Sequence, residues 1–212
     1  MTPQSTTATP DGLAPSTTER LSADDALAEL VAGNRRFVAG QPRYGHQITA
    51  AAAASGVQRP DAVVVGCIDS RVPLEAIFDQ NFGSICVVRS GAHVLDQAVL
   101  GSVEFAVTEL AVPLVVVLGH ERCGAIAATV EALRRGRTPT GALGYLVKQI
   151  APAVVAAGID AEDVYSRALR LHTQHTVEEL QDEIPLARAM RHTGVRIVGA
   201  VYDLDTGVVD LL

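Results

Sequence analysis

Ala62-Val63-Val64-Val65-Gly66-Cys67-Ile68-Asp69-Ser70-Arg71 and Leu114-Val115-Val116-Val117-Leu118-Gly119-His120-Glu121-Arg122-Cys123-Gly124-Ala125 share one layout: an apolar β-branched run, a Gly, then a chemically dense loop. Continuous Val/Leu runs of this length read as strands buried on both faces, the habit of parallel sheets covered by helices. The expected fold class is therefore α/β, a mostly parallel central sheet flanked by helices. Both loops then fall at the carboxyl ends of strands, the edge at which open α/β sheets bind ligands. Two neighbouring strands would deliver Cys67, His120 and Cys123 to one point.

Two thiols and one imidazole are the ligand count of a catalytic zinc site, in which the fourth position is left for water; structural sites close the tetrahedron with protein. Taken singly, each residue has a plainer use. An isolated Cys is often a small core residue, and a single His at a strand end is often a satisfied polar group. H-x-x-C alone is weak, and gains force from a C-x-D-x-R loop at the end of another buried strand.

Nearly half of the 212 residues are apolar, aromatics are few and Trp is absent, so the core must be built from Ala, Val, Leu and Ile. Seventeen basic against twenty-four acidic residues give a net charge of −7. No Lys/Arg patch stands out, which argues against nucleic acid and anionic membranes as partners. Three Cys with no C-x-x-C pair argue against a disulfide framework and for a reducing compartment, the cytoplasm. Residues 1–18 are rich in Thr, Ser and Pro without a basic residue or apolar run; a disordered tail is expected there, not a secretory signal. Residues 19–212 are then a single domain. The apolar stretch around Leu110 to Leu118 is interrupted by Pro113 and is too short to span a membrane.

Ser22-Ala23-Asp24-Asp25 has the form of a capping box, and Leu27, Leu30, Val31, Phe37 and Val38 continue at helical spacing to Gly40. A short helix is expected over Pro73 to Asp79, a strand over Ile85 to Arg89 with Cys86 in the core, and a crossover helix over Leu95 to Ala111. Further helices are expected from about Cys123, over Leu146 to Ala157 and over Ala161 to Glu183. His172 and His175 stand at i, i+3 on the last of these, a spacing that can bind metal but that suits a solvated or interface face better. Val195 to Tyr202 and Val208 to Leu212 read as final strands joined by the Asp205-Thr206-Gly207 turn.

Cys67-Ile68-Asp69-Ser70-Arg71 followed by His120-Glu121-Arg122-Cys123-Gly124-Ala125, in that order and at that separation, resembles the β class of carbonic anhydrases over roughly residues 20–212. The resemblance implies one Zn²⁺ per chain on Cys67, His120 and Cys123, and reversible hydration of carbon dioxide to bicarbonate and a proton by zinc-hydroxide attack. It also implies an N-terminal helical arm, an antiparallel C-terminal edge strand and a homodimer or dimer of dimers. Two thiolates weaken the Lewis acidity of zinc, so outer-sphere help is needed. Asp69, kept ionised by Arg71, is the expected catalytic partner; on its own the pair could equally be an ion pair that pins the loop.

Gln58, nine residues before Cys67, matches a Gln that in the family donates to bicarbonate across the dimer interface. Phe105 falls where many relatives carry Tyr, and Gly124, which permits close backbone approach, completes the expected substrate-binding set. Cys86 and Gly91 depart from plant-type relatives, which carry Phe and Val there. Some relatives have a closed state in which the Asp binds zinc while bicarbonate sits beside a Trp, an Arg and a Tyr. Arg89 and Tyr202 match two of those positions, but the third is Val64, so an open resting site is expected, with Asp69 as fourth ligand only in a closed state. Two rival functions are hydrolysis of carbonyl sulfide or carbon disulfide on the same fold, and a non-catalytic zinc or thiol sensor.

Overall fold

The structure is a computed structural model in which residues 20–212 are described; the tail expected over 1–18 lies outside them. Five strands form one sheet in the order β2-β1-β3-β4-β5: β1 (Ala62–Cys67), β2 (Ile85–Ser90), β3 (Leu114–His120), β4 (Arg196–Tyr202) and β5 (Val209–Leu211). The first four are parallel and β5 returns antiparallel on β4, as the two Val-rich runs and the closing turn predict. Every residue of β1 and β3 is buried. β1 sends the chain outward to β2 on one side and receives β3 on the other, so the carboxyl ends of β1 and β3 flank the point where strand order reverses.

Side chains alternate across the sheet. Val64, Leu114, Val116 and Leu118 face α1 (Ala23–Val38) and α3 (Leu74–Ile77) through Ala26, Leu30, Leu74 and Ile77. Val63, Val65, Val115 and Val117 face the other way, onto Val99, Val103 and Val107 of α4 (Gln97–Thr108), Leu180 of α7 (Val164–Asp182) and Leu186 of α8 (Ile184–Thr193). Each fully buried Val or Leu contributes about 1.5–3 kcal/mol, so these two layers hold the sheet. A third apolar cluster lies beyond the strand ends, where α5 (Gly124–Arg134), α6 (Ala142–Ala157) and α7 pack around Cys67, Ala92 and Cys123.

Ser22 caps α1 by accepting from the Asp25 N–H, and the face carrying Ala26 and Leu30 lies on the chain's own core. The detached part of the N-terminal arm is instead α2 (Ile48–Ala53), a helix not foreseen in the stretch 40–60; it buries no residue, and Ile48 is exposed. The helix expected over Ala161 to Glu183 is followed by another, α8. Glu183 is extended, Pro185 sits in the first turn of α8 and Gly194 closes it at φ 72°, the N-terminal Pro and C-terminal Gly pattern of a separate helix. His172 is not on a solvated face: it is 3 % exposed, while His175 is exposed.

Candidate metal centre

Gly66 of β1 lies opposite Leu118 of β3, so Cys67, the last residue of β1, and His120, the last of β3, leave the sheet side by side. Arg122, at φ 55°, turns the chain back, and Cys123 takes the N-cap position of α5. One ligand atom from each of Cys67, His120 and Cys123 lies within 4.8 Å of the others, and all three residues are buried. Gly119 lets α7 lie directly on β3 beside them: a Cβ there would stand 2.5 Å from Thr173 Oγ1 and 2.9 Å from Leu169 Cδ1.

The donor set can be tested for a metal from its own hydrogen bonds. His120 Nδ1 lies 2.9 Å from the Glu121 carbonyl, which can only accept, so Nδ1 carries the proton and Nε2 presents a lone pair. That Nε2 is buried with no hydrogen-bond partner. Cys67 is held well below the ordinary thiol range, first by the Cys123 thiol, against burial, and then by His120 and the Ala92 and Asp69 N–H groups. Cys123 is driven up, first by the Cys67 thiol and then by burial. A buried imidazole lone pair without a donor, gathered with two buried sulfurs within 4.8 Å, fits a soft divalent metal.

Asp69 leans over this cluster. Its Oδ1 accepts from the Arg71 backbone N–H (2.9 Å) and Nε (3.0 Å), its Oδ2 accepts from Arg71 Nη2 (2.7 Å), and Oδ2 lies 4.0 Å from His120 Nε2. The Arg71 guanidinium holds the carboxyl below the usual carboxylate range despite its partial burial. Arg89, matched by sequence to an anion pocket, donates Nε to the Cys67 carbonyl (2.7 Å) and Nη2 to the Asp69 carbonyl (2.6 Å), tying β2 to the loop after β1. Tyr202 and Val64 are buried in the sheet core.

The remaining expected site residues are split. Gly124 opens α5 next to Cys123, with free space where a Cβ would stand. Gln58 and Phe105 line a groove with Cys86, Arg89 and Gln97 along the outer edge strand β2 and α4, and within one chain that groove does not include Cys67, His120 or Cys123. Cys86 is half-buried at this edge, with its thiol raised by burial. A cavity of about 450 Å³ adjoins Cys123 between α5 and α7. A larger one, about 1010 Å³, lies at the amino ends of the strands, between α1, α4 and α8, remote from this chemistry. Residues that sequence reasoning did not place here are Ala92, whose N–H points at Cys67 Sγ (3.4 Å), and His172, which bonds the Ala92 carbonyl.

A family model described as carbonic anhydrase matches residues 62–209. The chain is 45 % identical over 191 residues to a carbonic anhydrase of Mycolicibacterium smegmatis, covering 88 % of this chain and 91 % of that protein. It is 41 % identical over 184 residues to carbonic anhydrase 2 of Mycobacterium tuberculosis, covering 86 % and 89 %. Among solved structures it is similar to a tetrameric β-carbonic anhydrase of Sordaria macrospora, with a TM-score of 0.68 at 23 % identity over 89 % of this chain and 95 % of that one.

Proposed function

The chain belongs to the β class of the carbonic anhydrase family, and from that premise we propose that it interconverts carbon dioxide with bicarbonate and a proton at one zinc ion per chain. Cys67, His120 and Cys123 would hold the ion. The observation that carries this reading is the partnerless, buried Nε2 of His120 gathered with the Cys67 and Cys123 sulfurs, the three ligand atoms within 4.8 Å of one another. Zinc bound there supplies a Lewis acid that makes a water acidic enough to yield a nucleophile near neutral pH.

The chain's own residues orient the reaction. An ionised carboxylate only accepts, so Asp69 Oδ2 takes the O–H of the attacking nucleophile and leaves a lone pair turned toward the carbon of carbon dioxide. Arg71 keeps Asp69 ionised and, through three hydrogen bonds, fixed in direction. Arg89 steadies the same loop from β2. With Arg89 engaged in this way and no Trp in the chain, we infer an open resting site in which Asp69 stays on Arg71. That arrangement favours the enzyme over a sensor whose fourth position is closed by protein.

Gln58 and Phe105 enter through assembly. Their groove runs along β2, a strand with one unpaired edge, and a second copy laid against it would bring its Gln58 to the first copy's cluster. A homodimer or dimer of dimers follows, with Gly124 leaving room beside Cys123. Residues 19–212 act as one domain. No helix among the described residues is long and apolar enough to cross a membrane, and with the three cysteines free we place the protein in the cytoplasm. The test is stopped-flow hydration of carbon dioxide by zinc-loaded protein between about pH 7 and 9, with carbonyl sulfide run in parallel. Hydration above buffer is expected. Its absence at one zinc per chain overturns the assignment, and faster turnover of carbonyl sulfide transfers it to that substrate.

A further inference from the structure

Behind Cys67 lies a second, wholly buried group of polar side chains. His93 and His172 stack with ring centroids 4.7 Å apart and planes 19° from parallel. Both are buried, with Thr173 and Thr176 beside them. His172 Nε2 is 3.0 Å from the Ala92 carbonyl; because a carbonyl only accepts, Nε2 carries the proton. His93 Nδ1 is 3.2 Å from Thr176 Oγ1, whose own hydrogen is donated to the His172 carbonyl at 2.9 Å, so His93 donates to Thr176. Burial lowers both rings below their ordinary range, His172 to about 4, so both are neutral at physiological pH.

The group grips a backbone conformation that would not persist unaided. Ala92 (φ 50°, ψ 42°) and His93 (φ 49°) are consecutive non-glycine residues in the left-handed region, which L-residues adopt singly and at a cost. His172 holds the peptide that follows Ala92, and His93 is locked by the stack and by Thr176. On the other side of Ala92, its N–H points at Cys67 Sγ, 3.4 Å away.

We propose that His172, stacked on His93, is a positioning residue that acts through Ala92: it aims the Ala92 N–H at the Cys67 sulfur and thereby limits how much negative charge that sulfur gives to the metal. This rests on the assignment of Cys67 as a zinc ligand. Without the N–H, the sulfur donates more strongly and the Lewis acidity that acidifies the water falls.

The test uses cobalt in place of zinc, read by its thiolate-to-metal charge-transfer absorption, with hydration measured separately on the zinc protein. His172→Phe keeps a flat ring for the stack but loses the N–H. It is expected to move the band to lower energy and to lower turnover at neutral pH on the order of ten-fold. His172→Gln retains an N–H donor and is expected to return both toward wild type. An unmoved band in folded His172→Phe overturns the proposal while leaving Cys67 as a ligand. Absence of any thiolate band in the wild-type cobalt protein overturns the ligand assignment itself, and the proposal with it. If His172→Phe does not fold, Thr176→Val, which removes the hydroxyl that bonds both His93 Nδ1 and the His172 carbonyl, must move the band in the same direction; an unmoved band there also overturns it.

Discussion

Asp69→Asn separates catalysis from loop structure because an amide cannot satisfy the contacts that Asp69 makes. Asp69 Oδ1 takes two donors from Arg71, and Oδ2 takes a third while facing the cluster 4.0 Å from His120 Nε2. With its oxygen at the Oδ1 position, Asn sets its NH₂ against Arg71 Nη2 and offers the site a donor in place of an acceptor. Flipped, it opposes two Arg71 donors at once, so the first orientation wins. Its structural cost is small: the Arg71 side chain is 52 % exposed, and solvent screening limits the loss to about 1 kcal/mol, or about 2–4 °C in melting temperature for a chain of this size. The catalytic cost is larger, since a donor turns the nucleophile's lone pair away from carbon dioxide. Loss of one aligned group of this kind lowers turnover on the order of 10²–10³-fold, about 3–4 kcal/mol. Arg71 holds Asp69 below the usual carboxylate range, so its stabilising contribution is complete above about pH 4 and is lost only as pH falls through the lowered folded-state value. The neutral-range pH midpoint of turnover should therefore be unchanged, with only its amplitude reduced. Stopped-flow hydration alongside metal analysis measures this. Wild-type turnover at full zinc content would refute the reasoning and leave the Asp69–Arg71 pair a loop pin.

Cys67→Ala and Cys123→Ala should each lose the metal, because a two-ligand site forfeits most of its affinity; stoichiometric zinc in either variant would show the ligands to be misassigned. Asp79→Asn should cost about 2–3 kcal/mol: breaking a buried ion pair costs more, but Arg36 keeps Glu29 at 3.0 Å. Burial pushes Asp79 up, yet Arg36 and the Arg43 and Tyr44 N–H groups outweigh it and leave the carboxyl below its ordinary value. The penalty, read by chemical denaturation, should be full above about pH 4 and fade as the wild type is acidified through its folded-state value. A pH-independent penalty would point to packing alone. Gly119→Ala should destabilise by about 1–3 kcal/mol by pushing α7 off β3 next to His120; unchanged denaturation midpoints would mean that helix can shift freely.

The sheet and the three clustered residues were legible because their causes are local. Unbroken Val runs specify doubly buried strands, and a ligand that ends such a run is carried to the sheet edge whatever the loops do. α8 was legible in principle: Pro185 and Gly194 mark its two ends, but a helix expected to stop at Glu183 assigns nothing to 184–194 unless the Pro is taken as the start of another. His172 was not legible. At i, i+3 from His175 it has the spacing of a surface pair, and its partner, the Ala92 carbonyl, lies 80 residues away. Little in a Gly91-Ala92-His93 sequence announces two successive left-handed residues, since Ala does not favour that region and His enters it only as a minority; the turn persists because α7 packs against the sheet and supplies the bonds that hold it.

Arg89 marks the point at which matching by position and matching by contact diverge. By position it belongs to an anion pocket; by contact it is the second brace of the loop that carries Asp69, with Arg71 as the first. An anion drawing both bonded N–H groups away would have to replace two hydrogen bonds from a charged donor, about 1.5–3 kcal/mol each. It would do so beside Val64, which is buried in the sheet core and offers no side-chain donor. The same two bonds that steady Asp69 over the cluster therefore oppose an anion-bound state, and the engagement of the Arg89 guanidinium is the physical basis on which the open arrangement is proposed.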